Sequence, residues 1–102
     1  MNAAERLWRA LAQHDWDAVR SQFGPNAVIE WPHVGRQMDV GDYVAAQRAR
    51  PADRAIVVRH VIGEGRLFAV EARAGEARCA GFYDLHDGLI RFATEYWIGD
   101  RG

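Results

Sequence analysis

The sequence predicts an α+β domain: short helices first, then an antiparallel meander that curls over them. Three observations lead there. Helical periodicity is confined to the first half of the chain. From Ala55 to Ile98 every periodic run is extended. The connections between those runs are only two or three residues long, which forces antiparallel neighbours.

Residues Asn2 to Gln13 form the first predicted helix. Asn2 stands three residues before Glu5, the spacing of a capping box, and Ala4, Leu7, Trp8 and Leu11 fall on one face. His14-Asp15 breaks the pattern. Asp15 can cap a second short helix through Gln22, with Trp16, Val19 and Phe23 on its buried side. Gly24-Pro25-Asn26 reads as a stop signal. Ala27 to Trp31 is rich in β-formers and reads as a first strand ended by Pro32. His33 to Val40 reads as a loop with room for a short irregular strand. Asp42 can cap a third helix, Tyr43 to Ala49, that Pro51 closes. Four strands follow: Ala55–Ile62, Arg66–Ala74, Ala77–Leu85 and Leu89–Ile98. Their turns are Gly63-Glu64-Gly65, Gly75-Glu76 and His86-Asp87-Gly88.

A sheet of this kind twists and curls. Curled around short helices, it leaves a concave space, and concave apolar spaces with a few polar groups are the usual small-molecule sites.

Composition narrows the function classes. The chain has 102 residues, 49% of them hydrophobic and 26% charged, which suits one globular domain over residues 1–102. Thirteen basic residues, all arginine, against fourteen acidic ones leave a net charge of −1. A nucleic-acid partner is not expected, because holding phosphates needs a basic surplus. Cys79 is the only cysteine, which excludes an intrachain disulfide and a cysteine metal cluster and suits a reducing cytoplasm. No apolar run is long enough for a membrane span. Histidine spacing does not suggest a metal site, and no glycine-rich phosphate loop or nucleophile elbow occurs, so neither metal nor cofactor is expected.

The candidate chemistry lies in the sheet and at its rim. Alternation along the last strand puts Ala93, Glu95 and Trp97 on one face and Phe92, Thr94 and Tyr96 on the other. With the first set inside, Glu95 is a carboxylate in an apolar setting, available as an acid or base. A structural pairing of Glu95 with an arginine fits equally well. His60 sits among Ile56, Val58 and Ile62 and reads either as a hydrogen-bonded core residue or as a proton relay with His33 and Glu95. Tyr83 shares a face with Cys79, Gly81 and Leu85, which aims its hydroxyl inward. Asp84 lies on the opposite face. Four tryptophans are many for this length, and they serve as core, as pocket lining, or as both.

Three stretches carry a resemblance: Asn26-Ala27-Val28-Ile29-Glu30-Trp31-Pro32 with the Gly35 loop and Val40-Gly41; Phe82 through Ile90; and Thr94-Glu95-Tyr96-Trp97. With the helical pair before them, they resemble the SnoaL-like polyketide cyclase branch of the nuclear transport factor 2-like superfamily. The resemblance implies a cone-shaped curved antiparallel sheet wrapped around about three N-terminal helices, with a ligand cavity inside. It also implies a homodimer formed through the sheet. The activities it implies are cofactor-free isomerase, cyclase or hydrolase chemistry on a small hydrophobic organic molecule. A non-catalytic binding or dimerisation module is the alternative. In that frame Glu95, His60 and Tyr83 are the catalytic candidates, and Trp8, Trp31, His33 and Trp97 line the pocket. In the similar ketosteroid isomerases the general base directly precedes a proline at the end of the first strand; here Trp31 holds that slot.

Overall fold

The computed structural model describes residues 1–99. Helix α1 (Ala3–Gln13) starts at the expected capping box, with Glu5 N–H donating to Asn2 Oδ1 at 3.0 Å and Asn2 N–H to Glu5 Oε1 at 3.2 Å. Its buried face carries Leu7, Trp8 and Leu11, and each large apolar side chain so buried contributes about 1.5–3 kcal/mol. His14 ends it in the left-handed region, φ 53°. Helix α2 (Trp16–Ser21) is capped by Asp15, whose side chain accepts from Ala18 N–H.

Strand β1 (Phe23–Trp31) begins four residues earlier than the sequence pattern suggests. Gly24-Pro25-Asn26 does not stop it. Asn26 takes a positive φ of 60°, and the pairing register shifts between Phe23 and Val28, so the breaker residues form an irregularity inside one strand. A 3₁₀ turn (Pro32–Val34) and the short β2 (Arg36–Met38) follow. Helix α3 (Val40–Arg48) starts two residues before the expected cap. Asp39, not Asp42, is the N-cap, and its side chain accepts from Asp42 N–H at 2.8 Å.

The meander is β3 (Ile56–Glu64), β4 (Leu67–Ala74), β5 (Ala77–His86) and β6 (Leu89–Ile98). One six-stranded sheet results, in the order β2-β1-β6-β5-β4-β3. Its hairpin pairs are antiparallel as expected, whereas β1 runs parallel to β6, so the sheet is mixed. It is curled but not closed, since β2 and β3 remain edges. Three helices and a curled sheet make the fold α+β. The inner face holds Val70, Ala72, Cys79, Tyr83, Ala93, Glu95 and Trp97, all buried. Phe82, Phe92, Tyr96 and Ile98 stand exposed outside. Trp97 and Glu95 are thus inside the cup, and Tyr96 is outside.

Candidate functional site: a buried carboxylate beside an aromatic-walled cavity

Glu95 is fully buried at the centre of the sheet's inner face. Its Oε1 accepts from Trp31 Nε1 at 3.0 Å and from Trp97 Nε1 at 3.2 Å. Its Oε2 accepts from the Tyr83 hydroxyl at 2.7 Å and the Tyr43 hydroxyl at 3.0 Å. Tyr83 in turn accepts from Trp8 Nε1 at 2.9 Å. Four aromatic side chains from β1, α3, β5 and β6 therefore converge on one carboxylate, and a fifth, from α1, reaches it through Tyr83. Ring contacts close the cluster: Trp8 meets Trp97 at 5.8 Å and Trp31 meets Trp97 at 6.5 Å between centroids.

A positive charge covers this cluster. The Arg50 guanidinium lies 4.1 Å from the ring centre of Trp97 and 5.0 Å from that of Trp31. Burial is the main cause that lowers its pKa, and the Arg54 charge adds to this, while Glu95 opposes both. Around the carboxylate, burial raises the pKa of Tyr43 and Tyr83 well above the usual phenol value, and the Glu95 charge raises it further. Burial, then Glu95, does the same to the Cys79 thiol, which is an inert core residue.

The open space lies beside this cluster. A cavity of about 290 Å³ sits between the α1–α2 corner, the end of α3 and the segment leading into β3. Trp16, Leu11, Ile56 and Trp97 give it apolar walls, and Gln47, Arg48, Arg50 and Arg54 give it polar ones. His14 stacks on Trp16 at its rim, 5.8 Å between centroids and 7° apart in plane. Glu95, Tyr43 and Tyr83 do not line it. Trp97 and Arg50 belong to both groups and form the partition between them.

The sequence candidates separate accordingly. Glu95 and Tyr83 come together. Trp97 lines the cavity, whereas Trp8 and Trp31 are packed in the core. His33 is exposed in the 3₁₀ turn with its ring 5.9 Å from Trp31; burial and the Arg50 charge lower its pKa. His60 does not join them. The β3–β4 register shifts between Val58 and His60, so Ile56 and Val58 keep the inner face while His60 turns outward opposite Glu71. There its Nδ1 lies 2.7 Å from Glu71 Oε1 on the exposed face. Asp84 pairs at the outer surface with Arg91 at 3.3 Å and Arg66 at 3.7 Å. Among the described residues no group of three or more His, Cys, Asp or Glu could hold a metal ion.

Sequence reasoning passed over Trp16, Tyr43, Gln47 and Arg50 as site residues. Tyr43 and Gln47 carried a usable signal: four residues apart, they share one face of α3. Arg50 had none, since its place follows from the chain turning back after α3.

A curled sheet, three helices covering its concave face and a polar cluster within define a small α+β cone of the nuclear transport factor 2-like type. The model of the SnoaL-like domain matches residues 4–93, and the chain belongs to that family. Solved structures agree on the fold. A nuclear transport factor 2-like protein of unknown function from Burkholderia xenovorans is 23% identical with a TM-score of 0.84, over 98% of this chain and 83% of that one. A candidate ketosteroid isomerase from Kribbella flavida is 21% identical with a TM-score of 0.79, over 98% and 78%. IdmH, a candidate polyketide cyclase from Streptomyces antibioticus, is 18% identical with a TM-score of 0.82, over 93% and 88%. No curated protein matches the chain.

Proposed function

We propose that the chain holds a small, largely apolar organic molecule in the cavity beside Trp97, and that Glu95 acts by fixing the cavity wall. The supporting observation is the shared position of Trp97. Its ring faces the cavity while its N–H is tied to Glu95. With four donors on its two oxygens, the carboxylate is an anchor for the aromatic walls. Room for about ten water-sized groups, at roughly 30 Å³ each, suits a ligand of one or two rings. Neutral cyclic probes such as naphthalene and camphor should quench tryptophan fluorescence saturably. Ala52→Trp, at an exposed position on the cavity, should abolish that. The absence of saturable quenching by any probe rejects the pocket.

A second reading adds turnover in the same pocket, with Glu95 as acid or base and Tyr83 as hydrogen-bond donor to a developing oxyanion. The observation favouring it is the 2.7 Å contact between these two groups. It requires Arg50 and Trp97 to part so that substrate reaches the carboxylate. Once a substrate is identified, Glu95→Gln must remove turnover; retained turnover sinks the catalytic role and leaves binding intact.

The outer sheet face supports a homodimer. Phe82, Phe92, Tyr96 and Ile98 expose 38–68% of their surface there, and Phe82 and Tyr96 meet edge to face at 6.2 Å. Sedimentation at micromolar concentration should give twice the chain mass, and Tyr96→Arg should return the monomer. No described helix is long and apolar enough to cross a membrane. The buried lone thiol fits a reducing cytoplasm.

A further inference from the structure

We infer that Gln47 sets what the cavity selects: a ring that carries an acceptor oxygen, as a ketone or an alcohol, over the bare hydrocarbon. This rests on the cavity reading above and adds the chemical class of the ligand and the residue that selects it.

Gln47 differs from the other walls of the cavity. Leu11, Gln47, Ala74 and Trp97 are its buried lining residues, and only Gln47 and Trp97 of these carry polar side-chain atoms. Trp97 gives its N–H to Glu95. Gln47 is 5% exposed, and its Nε2 has no hydrogen-bond partner of good geometry. The amide lies near the Tyr43 hydroxyl, where it favours the phenolate against the larger effects of burial and the Glu95 charge. An amide nitrogen carries two N–H groups, and that approach uses at most one. The residue is also held in place, because Tyr43, four residues earlier on the same face of α3, is fixed by Glu95.

Buried polar groups are nearly always satisfied, so a free donor beside an open space marks where an acceptor belongs. A hydrocarbon that fills the cavity shuts out water and strands the N–H. A ligand oxygen restores the bond, which makes the amide a filter against the hydrocarbon. The oxygen need not be charged: a carbonyl or a hydroxyl meets an amide N–H equally well. Leu11, Trp16, Ile56 and Trp97 take the apolar remainder of the ring. Arg50 lies on the faces of Trp31 and Trp97, and Arg54 Nε and Nη2 donate to the Ala74 carbonyl at 3.1 and 2.8 Å, so both cations are already engaged.

Equilibrium dialysis with two matched pairs of probes tests this. Camphor is set against 2-methylenebornane, in which a CH2 group replaces the carbonyl oxygen. 2-Naphthol is set against 2-methylnaphthalene, in which a methyl group replaces the hydroxyl. The readout is the ratio of dissociation constants within each pair, compared between the native protein and Gln47→Leu, so that each probe's own transfer from water cancels. Gln47→Leu should shift the ratio about three- to tenfold towards the hydrocarbon in at least one pair, the range for one neutral hydrogen bond. The pair that shifts tells whether the oxygen belongs to a ketone or an alcohol. Gln47→Met, unbranched and of similar length, should reproduce the shift, and it replaces the leucine variant if circular dichroism shows that one unfolded. Unchanged ratios in both pairs overturn the role of Gln47 while the pocket stands. Binding of none of the four probes overturns both.

Discussion

Tyr83 lays its phenol ring back over Gly81, its neighbour two residues earlier on the inner face of β5. A Cβ at Gly81 would lie 2.7 Å from Tyr83 Cζ, closer than side-chain atoms tolerate. Gly81 is also the register partner of Glu95 across β5–β6. The missing side chain is therefore what lets the hydroxyl cross to the carboxylate. Gly81→Ala should destabilise the fold by about 1–3 kcal/mol through overpacking, seen as a lower urea midpoint at unchanged slope. An unaltered midpoint would show that the ring has another seat.

Glu95 organises five aromatic residues, so its replacement should be felt in stability. Glu95→Gln places two N–H groups where four donors converge. Loss of hydrogen bonds to a charged, buried acceptor predicts about 3 kcal/mol of destabilisation. Tyr83→Phe removes one of those donors and the acceptor of Trp8 Nε1. The two changes should couple by about 0.5–3 kcal/mol in a double-mutant cycle on urea unfolding. Strict additivity would mean that the network is not a unit.

The fold was largely legible because its signals are local. Asn2 and Glu5 cap a helix by themselves, and the alternation of Ala93, Glu95 and Trp97 fixes which face enters the core. The site was legible only where periodicity held. His60 reads as inward by alternation from Ile56 and Val58, and a single bulge reverses it; nothing in the residue types Val58-Arg59-His60 announces that bulge. Asn26 hides another irregularity inside what looks like a strand terminator. Arg50 reaches Trp97 because the chain folds back after α3, and that contact depends on tertiary placement alone.

The outward turn of His60 has its own consequence. Its contact with Glu71 is exposed, and hydrogen bonding to His60 is the main cause that lowers the Glu71 pKa. His60→Ala should leave ligand binding and the urea midpoint unchanged while Glu71 titrates closer to the ordinary carboxylate range. Carboxyl-carbon NMR titration reads the shift. Loss of ligand binding in this variant would place His60 in the pocket after all.

Alkaline titration probes the interior network from the other side. The neutral phenols of Tyr43 and Tyr83 are favoured in the folded state, first by burial and then by the Glu95 charge. In the unfolded chain both ionise near the usual value of about 10. Above that pH the unfolded state binds fewer protons than the native one, so stability falls as pH rises; below it the advantage is fully present. Urea midpoints should therefore be flat on this account from neutrality to about pH 9 and decline beyond about pH 10. Ultraviolet absorbance should show Tyr43 and Tyr83 ionising only together with unfolding. Ionisation of all three tyrosines in the still-folded protein would mean that water reaches the Glu95 cluster, and the carboxylate would then be open to a substrate without any movement of Arg50 or Trp97.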